Sequence, residues 1–298
     1  MKKKKALKGM RRFAVGVAYS GERFSGFALN HEAALPSVQA QLLRALDKLS
    51  PHANFQISSR TDAGVHAVRN VFSVDIASTS LTEDNIRQGI NYHLPRFAKG
   101  LLAVTDVELV SPEFNARSNA TGRTYLYRLL YPKQNNVGMA MASMGMAMVM
   151  HRNTAWLLER PLDVEAMQAC SPLLMGEQDF SSFQSAGCQS QSTSRNVTQF
   201  DIVGDAAALH DPLYAGYSLV TFTVSANAFL LRQVRNMVAA VVQVGRRRLS
   251  LKQFADIVSA RSRALVVEKH RMRPAPAQGL FLQAVHYDLL DGRRRRIK

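Results

Sequence analysis

The segment Ser58-Ser59-Arg60-Thr61-Asp62-Ala63-Gly64-Val65-His66-Ala67 sets one carboxylate two residues after a guanidinium and two before a glycine. A carboxylate held in such a place can attack an electrophilic carbon or accept a proton. Phe55-Gln56-Ile57 precedes the segment, and Val68 to Ile76, rich in Val, Phe and Ile, reads as a strand after it. Asp62 is therefore expected on a tight connection at a strand end, where a scaffold holds a loop residue still. An Asp before Ala-Gly also makes an ordinary turn, because Asp bonds its own backbone and Gly supplies positive φ. The residues alone leave both readings open.

The elements around the segment follow from periodicity. Strands are expected at Phe13 to Tyr19, Asn54 to Ser58, Val68 to Ile76 and Leu101 to Leu109, with helices at Ser37 to Leu49 and Thr82 to Asn91. Val38, Leu42, Leu46 and Leu49 share one face of the first helix, behind Pro36 and Ser37. Thr82 is the expected N-cap of the second, where Ile86 and Ile90 stack one turn apart. This β-α-β-β-α-β order is the ferredoxin-like pattern. It returns less cleanly later, with strands at Arg123 to Leu130, Val197 to Val203, Leu219 to Val224 and Leu280 to Val285, and helices at Val164 to Leu174, Leu230 to Val244 and Leu251 to Ser259. Pro172 predicts that the Val164 helix is short or broken.

At 298 residues and 47% hydrophobic, the chain can bury one large core or two modest ones. No apolar run approaches the ~18 residues of a membrane span, so no membrane partner is expected. The start of the chain lacks the apolar core of a secretory signal. Cys170 and Cys188 have neither Cys-x-x-Cys spacing nor a His partner, which argues against zinc or a disulfide framework and for a reducing intracellular compartment. No Gly-rich nucleotide loop or metal-ligand cluster is present, so neither a cofactor nor a metal is expected.

The net charge of +16 is concentrated at the ends. Residues 1–12 hold seven cations and 293–298 hold five, with no acid in either, leaving +4 on the 280 residues between. Such arms read as sequence-independent phosphate contacts, as a localisation signal, or as solvated ends. Within the body, Arg246-Arg247-Arg248, Arg261 with Arg263, and Lys269-His270-Arg271-Met272-Arg273 suggest a phosphate-binding edge, with Arg246, Arg247 and Arg271 as its backbone contacts. Met139 to Met150 holds six of the twelve methionines, and no function is read from it.

Arg60-Thr61-Asp62-Ala63-Gly64-Val65-His66-Ala67 resembles the catalytic loop of the TruA-type tRNA pseudouridine synthases. Ala120 to Tyr127 resembles the strand carrying that family's active-site tyrosine, placed at Tyr125. Ala226 to Met237 resembles the segment whose arginine pairs with the catalytic aspartate, placed at Arg235. Shorter echoes at Asn91-Tyr92-His93-Leu94-Pro95, Phe114-Asn115-Ala116-Arg117, Gly176 to Phe180 and Pro276 to Leu282 keep the same order, so the resemblance runs from Phe13 to Tyr287. Ile57-Ser58-Ser59, Arg123 to Arg128 and Phe183 to Gly187 look closest to the eukaryotic branch called tRNA pseudouridine synthase-like 1. The chain departs from the family pattern at Gly26-Phe27-Ala28, where Gly-Trp-Gln is common, and at Leu231-Arg232, where a histidine pair is common.

The resemblance implies an α+β fold: two ferredoxin-like halves sharing a central, mainly antiparallel sheet, with helices packed outside and an RNA-binding cleft between the halves. It divides the chain into a basic arm (1–12), an N-terminal half carrying the Asp loop (13–118), a C-terminal half (119–290) and a basic tail (291–298). It implies an isomerase that turns uridine into pseudouridine in tRNA or another structured RNA without a cofactor. Asp62, Tyr125 and Arg235 would be catalytic. Arg60, Asn91, Arg117 and Leu280 would bind substrate, and Gly64 and His66 would support the loop. A homodimer is in keeping with the family, and the branch favours mitochondria over the cytoplasm. The alternative is a non-catalytic RNA-binding or ribosome-associated factor on the same fold.

Overall fold

The computed structural model describes residues 9–30, 32–77, 80–133, 149–204 and 217–288, with the side chain of Lys269 excepted. Most of both basic arms and residues 139–148 of the methionine-rich stretch lie outside them. The chain divides into two compact units, residues 1–121 with 282–298 and residues 122–281. This division differs from the linear halves expected from the sequence in that the last strand joins the first unit from Leu282 onward.

In the first unit the elements follow the expected order: β1 (Arg11–Tyr19), α1 (Val38–Leu49), β2 (His52–Ile57), β3 (His66–Ile76), α2 (Glu83–His93) and β4 (Leu102–Leu109). The sheet runs β4-β1-β3, with β2 and the last strand, β10 (Leu280–Tyr287), also paired to β3. β3 lies antiparallel to both β1 and β2, which splits the β1-α1-β2 unit as the ferredoxin-like pattern requires. Ser37 starts α1 by accepting the Ala40 amide, at 3.2 Å. Thr82 and Asn85 form a reciprocal capping box on α2. Val38, Leu42 and Leu46 of α1, Ile86 and Ile90 of α2, and Phe13, Val15 and Val17 of β1 are all buried in its core.

One polar knot interrupts the apolar interior of this unit. Arg12 donates to Asp75 at 2.8 Å, to Ser73 Oγ at 2.9 Å and to the Phe114 carbonyl at 2.5 Å, while Asn54 donates to the other Asp75 oxygen at 2.6 Å. Both charged side chains are buried, so removing one strands the other in a low dielectric. Arg12→Met is expected to lower stability by about 3–5 kcal/mol in chemical denaturation. Combining it with Asp75→Leu should recover part of that loss, and a single variant as stable as the parent would show that the pair contributes nothing.

The second unit contains β5 (Ala120–Pro132, in this unit from Gly122), β6 (Trp156–Leu157), α3 (Val164–Gln168), β7 (Gly176–Asp179), β8 (Ser194–Gly204), β9 (Tyr217–Ala226), α4 (Gln233–Gly245), α5 (Leu251–Ser259) and α6 (Arg263–His270). Its strands are ordered β5-β9-β8-β7, all antiparallel, with short β6 parallel to β5. The expected helix from Val164 stops at Gln168, and Pro172 lies in a separate 3-10 turn, Ser171–Leu174. α4 begins three residues later than expected, because Arg232 takes the left-handed conformation with φ 58°. α6 and β7 were not anticipated. Burial raises the Cys170 thiol to about 12, in keeping with an inert core cysteine. No helix among the described residues is long and apolar enough to cross a membrane.

Candidate active site

Asp62 opens a tight turn that leads into β3. Its carbonyl accepts the Val65 amide at 3.2 Å, and Gly64 carries φ +78°, a conformation that a side chain would strain. The approach to the turn is pinned from both sides. The Thr61 carbonyl accepts the Phe27 amide at 3.2 Å, and the Thr61 hydroxyl meets the Tyr19 hydroxyl at 2.8 Å. Gly26, with φ +111°, permits this approach, since a Cβ there would come within 2.6 Å of the Thr61 oxygen.

Asn70 completes the clamp. Its amide nitrogen donates to the Ser59 carbonyl at 3.0 Å and to the Tyr19 hydroxyl at 3.2 Å, while its oxygen accepts from Ser58 Oγ at 2.8 Å and from the Val71 amide at 2.9 Å. Every hydrogen-bonding position of a fully buried amide is thus committed to holding residues 58–61 and β3 together. His66 is buried behind the turn, and its Nδ1 accepts the Gly21 amide at 3.1 Å. Asp62 itself is half-buried and Arg60 is exposed. Phe27, at the first departure from the family pattern, is buried with its ring 5.8 Å from that of Tyr19. Phe27 therefore packs behind the loop.

In the second unit, Tyr125 is half-buried on β5 with its ring edge-on to Phe229 at 5.3 Å. Two residues on, and therefore on the same face of the strand, Tyr127 is fully buried and donates to the Pro276 carbonyl at 2.9 Å. Burial pushes the Tyr127 phenol well above its ordinary value, opposed by the charge of Arg235. Arg235, in the first turn of α4, donates through Nε to the Ala275 carbonyl at 2.7 Å, and its own carbonyl accepts the Ala275 amide at 3.1 Å. The strap 275–276 thus ties Arg235 to Tyr127 and sets the direction of the guanidinium.

A second arginine holds the segment that leads into the strap. Arg263 donates to the Met272 carbonyl at 2.8 Å and to the side-chain oxygen of Asn236 at 3.0 Å, and Asn236 donates to the Phe183 carbonyl at 2.6 Å. Burial lowers the pKa of Arg263, and carbonyl oxygens are its partners in these bonds. The sequence reading missed Arg263, Asn236, Asn70 and Tyr19 as positioning residues. Of these, Asn236 carried a signal, since it follows Arg235 inside a motif-like run, and Arg263, expected on a phosphate-binding edge, is instead committed to protein oxygens.

The remaining expected site residues lie on several elements. The Asn91 amide is committed at both ends to Val104, donating to its carbonyl at 2.9 Å and accepting its amide at 2.8 Å, so this side chain straps α2 to β4. Arg117 is exposed in the loop after β4, and Leu280 is buried at the start of β10. Arg246 lies over the Trp156 ring at 5.5 Å, Arg247 pairs with Asp163 at 3.2 Å, and Arg271 caps the C-terminus of α6. Arg246 and Arg247 follow α4, whereas Arg271 follows α6, so the three side chains do not share one element.

Comparison with known proteins bears on what this arrangement is for. A family model described as tRNA pseudouridine synthase matches residues 171–288. The tRNA pseudouridine synthase A of Maricaulis maris is 34% identical over 282 residues, which cover 93% of this chain and 98% of the relative. The tRNA pseudouridine synthase A of Neisseria gonorrhoeae is 34% identical over 280 residues, covering 93% and 92%. That of Methylorubrum populi is 34% identical over 281 residues, covering 94% and 99%. Since the similarity extends along nearly the whole of both chains, this chain belongs to the TruA-type tRNA pseudouridine synthase family.

Proposed function

We propose that the protein isomerises uridine to pseudouridine in tRNA, with Asp62 as the group that starts the reaction. The bond from ribose C1′ to uracil N1 breaks, the base turns, C5 bonds to C1′, and the C5 proton leaves while N1 gains one. Asp62 attacks C1′ or removes a proton from C2′ in the first step. Tyr125 stacks on the base as it turns and relays the C5 proton through its hydroxyl. Arg235 supplies a fixed guanidinium for a carboxylate or phosphate oxygen of the reacting complex. Arg60, exposed at the mouth of the turn, takes the place of a nucleotide extruded from its stack.

The observation that carries this reading is the way Asp62 is presented: a half-buried carboxylate on a turn whose approach is locked by Thr61, Asn70 and Tyr19. A pure RNA-binding protein has no need to hold one acid so rigidly. We also propose, on the wording of Ile57-Ser58-Ser59, Arg123 to Arg128 and Phe183 to Gly187, membership of the eukaryotic branch and with it residence in mitochondria, and, on the likeness to the TruA-type family as a whole, assembly as a homodimer. The first experiment maps pseudouridines in mitochondrial and cytosolic tRNA separately, with and without the protein. Loss of a site confined to mitochondrial tRNA is expected. Loss confined to cytosolic tRNA would overturn the compartment, and no lost site in either would leave the binding-factor reading standing instead.

A further inference from the structure

The Asp62 turn has an aromatic and cationic neighbour that the chemistry above does not use. At the C-terminal end of α2, Tyr92 is 74% exposed, and Phe97 in the following loop is 40% exposed. The Lys99 ammonium lies over the Tyr92 ring at 5.5 Å, His93 meets that ring edge-on at 5.1 Å, and Arg96 is exposed between them in sequence. From Asn91 to Leu101 there is no acidic residue. A single exposed aromatic is unremarkable. Two of them with two cations on these eleven residues make the composition of a single-stranded nucleic-acid platform, in which bases stack on rings and cations hold the backbone.

The platform is also rigid and well placed. Leu94 and Ala98 are buried beneath it, and the Ala98 and Leu101 amides close successive turns onto Pro95 and Ala98. The Leu101 carbonyl accepts the Ser20 amide at 2.8 Å. The Phe97 ring lies 6.4 Å from that of Phe24, whose amide donates to Gly21, and Gly21 in turn donates to His66 behind the Asp62 turn. The surface is therefore anchored to the same backbone that supports the reacting loop.

We propose that Tyr92, with Arg96 and Lys99, is a stacking platform for an unpaired nucleotide of the substrate RNA flanking the modified uridine. This inference rests on the isomerase reading for the identity of the RNA, while the contact itself needs only an unstacked base and its phosphates. Tyr92 is so exposed that its replacement leaves the fold intact.

The test measures binding and turnover of in vitro transcribed, unmodified tRNA by the full chain. Tyr92→Ala is expected to weaken affinity by about 5- to 150-fold, with the loss appearing in KM rather than kcat, whereas Tyr92→Phe and Tyr92→Trp bind as the parent does. Arg96→Gln with Lys99→Gln should lower the slope of log affinity on log salt by about 1.4, the value for two phosphate contacts on a single strand. Normal turnover with Tyr92→Ala binding within twofold of the parent would overturn the platform and spare the isomerase reading. Weakened binding by Tyr92→Ala in a protein whose parent form turns over no tRNA would overturn the isomerase reading and spare the platform. A Tyr92→Ala variant that loses self-association in sedimentation while keeping its RNA affinity would make this surface a contact between copies, and the proposal would fall.

Discussion

The Asp62→Asn protein is expected to bind tRNA as tightly as the parent and to form pseudouridine at least about ten-thousandfold more slowly. That loss corresponds to about 5 kcal/mol of transition-state stabilisation. The substitution is nearly isosteric, and the contacts that shape the turn come from elsewhere: the Asp62 carbonyl accepting Val65, the positive φ of Gly64, and the hold of Tyr19 and Asn70 on residues 59 and 61. An amide in that place has the same shape but is a far weaker nucleophile and base than a carboxylate. Fold and substrate affinity should therefore survive while chemistry does not. Single-turnover formation of pseudouridine, read beside RNA affinity and melting temperature, checks each part. A variant that keeps even a tenth of the parent rate would remove Asp62 from the first step, whichever route that step takes.

That such a variant can be designed shows where sequence is informative. The turn was legible because its chemistry is local: Asp, Ala, Gly and Val are adjacent, and the strand after them announces itself. Helices α1 and α2 were legible for the same reason, with caps at Ser37 and Thr82 and apolar residues one turn apart. What holds the turn was not legible. Tyr19 reaches Thr61 across 42 residues and Asn70 across 51 reaches Tyr19, and nothing in the identity of a strand tyrosine or asparagine predicts those bonds. The misjudged elements have equally physical causes. α6 lacks a clear apolar stripe, and β7, Gly-Glu-Gln-Asp, is a glycine and three polar residues that become a strand only by pairing with Asn196 and its neighbours. Asn91 shows the converse error. A polar residue inside a motif invites a substrate role, yet its amide is committed to the Val104 backbone.

Arg235→Lys is the second large effect expected, a fall in kcat of about a hundred- to a thousandfold, or about 3–4 kcal/mol. The fork of Arg235 has two tasks. Its Nε–H is committed to the Ala275 carbonyl at 2.7 Å, which fixes the plane of the guanidinium and aims the two terminal nitrogens. A lysine has one nitrogen, so it either keeps the Ala275 contact and withdraws its charge, or keeps the charge in the site and leaves that carbonyl without its donor. The fold should tolerate the change, because the main-chain bond from the Ala275 amide to the Arg235 carbonyl does not depend on the side chain. Stability should fall by only about 1 kcal/mol, the usual net value of one hydrogen bond. A neighbouring test separates aim from charge. Arg263→Lys weakens the hold on Met272 and Asn236 while leaving Arg235 itself in place, so it should lower kcat by a smaller factor, with RNA affinity retained. If Arg235→Lys turned over tRNA at the parent rate, the planar fork would be dispensable and Arg235 would act only as a positive charge.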